Sequence, residues 1–155
     1  MTTVSPSATS ENANLDAACT AVATEVARTD GKASLLLAFN GAVLAGLATV
    51  ADTGLPSVTK AFGAAAVLAL AAAAVLLLLV VRPRTRGITD RASFPYWAGL
   101  DEDAIRASLR GDTRPARIRV LSIIAMRKYG QLRLAVDLSL AALALLVVAA
   151  ASALV

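Results

Sequence analysis

Three stretches of this 155-residue chain contain no Asp, Glu, Lys or Arg: residues 33–51, 61–81 and 138–155, of 19, 21 and 18 residues. A helix needs about 17–25 apolar residues to cross a hydrocarbon core about 30 Å thick. Backbone polar groups in lipid must be satisfied within the segment, which leaves the helix as the form each stretch takes. The expectation is therefore an all-α integral membrane bundle of three transmembrane helices. Composition agrees: the chain is 57% hydrophobic and 17% charged, against about 45–50% and about 25% in ordinary soluble domains.

The same residues exclude several kinds of chemistry. There is no His, which removes imidazole general bases and His-ligated metals. The single cysteine, Cys19, permits neither an intrachain disulfide nor a thiolate cluster. No span carries an ionisable side chain, whereas proton relays, ion-coupled transporters and voltage sensors are marked by them. No Gly-rich phosphate loop, carboxylate pair or nucleophile elbow is present. The expectation is a protein that is not an enzyme, with no catalytic residues, no metal and no cofactor. The net charge of +4 does not argue for nucleic acid as a partner, because the basic residues lie beside the spans, where topology accounts for them.

Residues 82–137 hold 12 of the 15 Lys and Arg against 6 acids, while residues 52–60 hold one of each sign. Basic residues flanking a span stay on the cytoplasmic side. Arg82, Arg84, Arg86 and Arg91 follow the second span; Arg127, Lys128 and Arg133 precede the third; Arg28 and Lys32 precede the first. All three clusters place the N-terminus inside and the C-terminus outside, in a multi-pass inner-membrane arrangement. The 32 polar, charge-balanced residues before the first span do not fit the short basic leader of a signal peptide. On this topology 88 residues, 1–32 and 82–137, face the cytoplasm, so the signal this protein answers to arises inside the cell.

Residues 1–13 are rich in Ser, Thr and Asn without apolar periodicity and read as a disordered tail. Residues 14–155 then form one membrane domain, with cytoplasmic portions 14–32 and 82–137. Leu15, Ala18, Cys19, Val22 and Val26 fall on one helical face. No proline interrupts residues 15–51, so one helix of about 55 Å can run from the cytoplasm through the first span, with Gly31 its weakest point. Pro56 suits the first turn of the second helix, which stops at Arg82-Pro83, and residues 85–99 read as irregular. Residues 100–110 predict a short helix, with Asp101, Glu102 and Asp103 at its start, Arg106 and Arg110 late, and Gly111 beyond. Residues 116–155 predict a second long helix, with Ile118, Leu121, Ile124, Ala125 and Leu132 on its apolar face. The two long helices are expected to pair and extend into the cytoplasm.

Three features are candidates for function. Asn40 is the most polar residue of any span, and an amide in hydrocarbon calls for a partner on another helix. Gly41 and Ala42, with Ala45 and Gly46 four residues on, make overlapping small-xxx-small pairs that permit close helix approach, within one bundle or between copies. Arg28, Asp30 and Lys32 meet Arg127, Lys128, Arg133 and Asp137 at similar depth if the long helices are neighbours. Such a set either anchors to lipid headgroups or holds an anion, for which Arg provides bidentate donors. Phe94-Pro95-Tyr96-Trp97 holds half of the six aromatic residues, as interfacial anchors or as a stacking surface for a base.

The run from Ala27 to Gly41, of the pattern R-x-D-x-K-A-S-x-L-L-x-x-N-G, the aromatic stretch Phe94 to Trp97, and Arg127-Lys128-Tyr129 followed by Leu132-Arg133 and Ala135 occur in an order that resembles the transmembrane effectors of Pycsar antiphage systems. The resemblance covers residues 22–145. It implies an abortive-infection effector in which cyclic CMP or cyclic UMP, made by a neighbouring cyclase, is the activating ligand and the inner membrane is the target. Taken with the residue reading, Arg28, Lys32, Arg127, Lys128, Tyr129 and Arg133 are the candidate cyclic-nucleotide-binding residues, and Asn40, Gly41, Ala45 and Gly46 the candidates for helix packing or homo-oligomerisation. The alternatives are a constitutive membrane scaffold, such as a small plasmid-transfer protein, and a holin-like toxin gated by expression level.

The topology makes a direct prediction. In sealed right-side-out spheroplasts, an external protease leaves residues 82–137 intact; in inverted vesicles it cuts there. Cleavage in the spheroplasts, detected by mass spectrometry of released peptides, would reverse the assignment.

Overall fold

The computed structural model describes residues 6–50, 54–82, 94–108 and 111–154. Among them the chain is α-helical without strands: α1 (Pro6–Val50), α2 (Ser57–Val81), α3 (Phe94–Trp97), α4 (Glu102–Ser108) and α5 (Arg114–Ala153). Parts of α1, α2 and α5 are long and apolar enough to cross a membrane. The three expected spans are thus three helices, in the expected order.

The helix boundaries follow local chemistry. Pro56 precedes α2, and its carbonyl accepts the first helical bond from Lys60 N at 3.0 Å. α4 begins where Asp101 Oδ1 accepts the backbone N–H of Ala104 at 2.8 Å, an N-cap bond that satisfies one of the free amides of the first turn. Asp112 does the same before α5, accepting Arg114 N at 3.0 Å. Gly31 and Gly130 lie inside unbroken helices.

Two expectations change. Residues 6–13, read from composition as disordered, belong to α1, because tertiary bonds reach them: Arg114 Nη1 donates to the Asn12 carbonyl at 3.2 Å and Nη2 donates to Asn12 Oδ1. Residues 94–97, placed within an irregular stretch, form the single turn α3, closed by Gly99 N to Tyr96 O at 3.2 Å and Leu100 N to Trp97 O at 3.1 Å. Residues 85–93 of that stretch, residues 1–5 of the tail, Arg84 and Arg110 lie outside the described residues.

The chain divides into two compact units. The first comprises Met1–Arg28 and Pro83–Arg127; the second comprises Thr29–Arg82 and Lys128–Val155. α1 and α5 each contribute to both. Along α1 the buried and half-buried positions include Leu15, Cys19, Val22, Val26, Thr29, Ala33, Leu36, Asn40, Val43 and Leu47. Along α5 they include Ile118, Leu121, Ala125, Lys128, Leu132, Ala135, Ser139, Ala142, Leu146 and Ala149. Both series step by three and four in alternation, the seven-residue repeat that keeps one seam of a helix facing a partner.

In the second unit that seam is dry. One cluster joins Ala33, Ala73, Leu77, Val80, Leu132 and Ala135, with Leu36, Leu37, Leu76 and Leu138 against it. Another joins Ala66, Leu70 and Ala142, with Val43, Leu44 and Leu47 around them. Each cluster takes residues from α1, α2 and α5, so the three spans pack as one bundle. Small side chains at Ala33, Ala66, Ala73, Ala135 and Ala142 bring the backbones close, which is how helices associate where lipid removes the hydrophobic drive. Leu35, Leu68, Leu140 and Val147 are 60–74% exposed, as side chains facing lipid must be.

In the first unit a polar clamp joins the start of α5 to α1. Arg114 uses all five of its N–H groups. Nε and Nη2 hold both oxygens of Asp112, at 2.9 and 3.0 Å; Nη1 reaches Asp16 Oδ1 at 3.0 Å, and the remaining two reach Asn12. These bonds hold the Asp112 carboxyl below the usual carboxylate range, and the two carboxylates raise the Arg114 guanidinium above its ordinary value.

The sign of each shift fixes how the clamp responds to acid. A raised guanidinium stays charged throughout the acid range, so its contribution is constant there. A depressed carboxylate contributes fully above its ordinary value of 3.8 and loses that contribution as pH falls through its lowered one. A nitroxide label at residue 13 therefore gains mobility on Arg114→Ala at neutral pH. A label at residue 113, beside the Asp112–Arg114 bonds, stays immobile on acidification until the pH drops below 3.8.

Candidate functional site

Three polar contacts cross between helices in the second unit, each bringing together residues far apart in sequence. At the start of the first span Lys128 Nζ donates to Asp30 Oδ1 at 2.5 Å, the side chains being 18% and 36% exposed. Deeper in, Asn40 and Ser139 are both buried. Asn40 Nδ2 donates to Ser139 Oγ at 3.0 Å, while the Ser139 hydroxyl lies 3.2 Å from Asn40 Oδ1 and 2.9 Å from the Ala135 carbonyl, so its one hydrogen is shared. At the far end Thr59 and Ser152 are 2.9 Å apart. Ser152 donates to the Ala149 carbonyl at 2.8 Å, which leaves Thr59 as the donor between them.

Sequence position explains why these residues meet. The third charge-free stretch has two hydroxyls, Ser139 and Ser152. Each takes a polar group from another helix, since an unpaired amide or hydroxyl in hydrocarbon costs several kcal/mol on the order of a lost hydrogen bond or more. Asn40 required a partner, and the helix carrying it is α5. Ser139 itself was not singled out; the scarcity of hydroxyls in its stretch is the signal that identifies it.

The candidate cationic residues divide between the two units. Arg28 and Arg127 belong to the first, and both are exposed; Arg28 Nη1 stands 3.9 Å from Glu25 on its own helix. Lys32, Lys128, Tyr129 and Arg133 belong to the second. There Lys32 and Arg133 are exposed and Tyr129 is half-buried. Lys128 is drawn into a contact between helices, and its ammonium is engaged by Asp30. An anion binding there competes with a carboxylate.

The small-residue face separates from Asn40. Gly41, Ala45 and Gly46 are exposed, and a Cβ added at either glycine would meet nothing within 4 Å. Asn40 turns inward to its intrachain partner while these residues turn away from the bundle. Trp97 is half-buried with its indole N–H enclosed. The Arg114 clamp was not foreseen either, its partners Asn12 and Asp16 being about a hundred residues away in sequence.

Residues 14–155 match the family model described as the Pycsar effector protein domain. No curated protein and no solved structure matches the chain.

The Asn40–Ser139 contact predicts a measurable coupling. In a double-mutant cycle with Asn40→Leu and Ser139→Ala, unfolding from bicelles gives an interaction energy of about 0.6–1.7 kcal/mol, the range found for such bonds in membranes. Additive effects of the two substitutions would show that the bond contributes nothing to holding α1 on α5.

Proposed function

The chain belongs to the Pycsar effector family, and from that membership we propose that it is an inner-membrane effector of abortive infection that cyclic CMP or cyclic UMP switches from a resting bundle to a membrane-impairing one. Membership makes it a signal-activated antiphage effector, with a cyclic nucleotide from a cyclase as its signal and the bilayer as its setting. The rest is our reading. The chain catalyses no reaction and carries no cofactor. Its N-terminus and residues 82–137 face the cytoplasm, where the nucleotide is made.

One observation carries the mechanism: the ion pair that ties α1 to α5 at the edge of the spans uses a cation that phosphate can also claim. A cyclic nucleotide phosphate takes the place of Asp30 at Lys128, with Lys32 and Arg133 supplying further positive charge and Tyr129 a face for the base. Losing Asp30 loosens α1 from α5 at the point where the apolar seam begins. The bundle then repacks, and Gly41, Ala45 and Gly46, which point away from it, join copies into a homo-oligomer. Driving such an equilibrium from roughly 1:99 to 99:1 takes about 5.5 kcal/mol of differential binding, which charge-assisted phosphate contacts of about 1.5–3 kcal/mol each can supply.

Proteoliposomes holding the chain and an entrapped impermeant dye test this. Cyclic CMP or cyclic UMP releases the dye, and linear CMP or UMP does not. Asp30→Asn, which weakens the resting pair without touching a basic residue, raises leakage in the absence of nucleotide. Full leakage from the unsubstituted chain without nucleotide would identify a toxin gated by expression alone; no leakage under any condition, with insertion verified, would identify a scaffold.

A further inference from the structure

The first unit contains an apolar groove of about 380 Å³ between α1 and α5, lined by Ala21, Val22, Glu25, Ser122, Ala125 and Met126. Its small side chains, Ala21, Ser122 and Ala125, leave that space unfilled. Beside it α5 presents Ile123, 44% exposed, and Met126, 71% exposed.

Lipid does not cover this surface. Met126 stands twelve residues before the third charge-free stretch and Val22 eleven before the first, about 16–18 Å along each helix. The headgroup layer adds only about 5–8 Å to each side of the hydrocarbon. A nucleotide fits poorly, since the one charged group on the groove, Glu25, repels phosphate.

The charges point to a different occupant. Besides Asp16 and Arg114, which pair within the chain, α1 carries Glu11 and Glu25 against Arg28 in this unit, whereas α5 carries Arg117, Arg119 and Arg127 without an acid. One helix of the pair is acidic and the other basic. A second copy, turned about a twofold axis along the bilayer normal, sets each acidic α1 against a basic α5 and closes both grooves at once. We propose that the first unit is a homodimer interface, in which the groove and the ridge of Ile123 and Met126 of one chain are covered by those of a second copy. The proposal rests on the three-span reading and is independent of the nucleotide.

Oxidative cross-linking in proteoliposomes without nucleotide tests it. In a Cys19→Ser background, Met126→Cys passes mostly into a covalent species of doubled mass, while Thr20→Cys, exposed on the other face of α1, stays single. Met126→Lys, at a position too exposed to disturb folding, abolishes energy transfer between copies labelled at their C-termini. Equal cross-linking at both positions, or none at either, overturns the proposal. So does protection of Met126→Cys from maleimide by cyclic CMP or cyclic UMP in a chain that remains single, since the groove is then a ligand pocket. Because no leakage is read, failure here leaves the nucleotide reading standing, and failure of that reading leaves the dimer standing.

Discussion

Hydrogen bonding in the absence of water decides how this bundle is assembled. Apolar side chains gain little by leaving lipid for another helix, so leucine and alanine alone do not say which faces of the spans should meet. Polar groups do. Asn40 finds Ser139, Thr59 finds Ser152, and Asp30 finds Lys128. The first and last of these join α1 to α5 with sequence separations of 99 and 98, so the two helices run parallel in nearly constant register. A slip of either helix by one residue would strand at least one buried polar group. The close-packed alanines then fit around a register already chosen.

The number and order of the spans were legible because absence of charge over 18 or more residues has few other causes. Helix continuity was legible for a related reason: only scattered glycines, Gly31 and Gly130 among them, spoke against it, and glycine alone does not break a helix held by packing. The buried face was legible in part, from Leu15 to Val26 and from Ile118 to Leu132. Other features were hidden. Residues 6–13 have the composition of a tail and are helical because Arg114, about a hundred positions away, binds Asn12. The pairing of Asn40 with Ser139 in particular is a matter of register, and no local pattern reports register between distant helices. The candidate basic residues stood out by type, but type does not reveal which of them is held by an acid.

That last distinction shapes the electrostatics. The net charge of +4 suggests a broadly cationic surface, yet several cations are committed. Arg114 is saturated by Asp112, Asp16 and Asn12; Arg106 is matched by Glu102 and Asp103 one turn away; Lys128 is held by Asp30. Exposed pairs such as those of Arg106 stabilise little. The Lys128 pair differs, because it is partly enclosed and links two helices whose apolar seam starts beside it. On the proposed reading, affinity for a phosphate and tightness of the bundle draw on the same ammonium.

The inward aim of the polar side chains also bears on what kind of damage such a protein can do. Asn40, Ser139, Thr59 and Ser152 satisfy one another, and the exposed hydroxyls of Ser34 and Thr49 turn back on carbonyls of their own helix. Selective conduction is written in rings of charge or of carbonyl dipoles along a water-filled path, and the described residues of the spans carry no charged side chain to build one. A breach opened by these helices would have walls of methyl groups and disturbed lipid, sorting solutes by size and not by sign. On the proposed reading, such a breach collapses ion gradients indiscriminately, where a channel would pass selected ions.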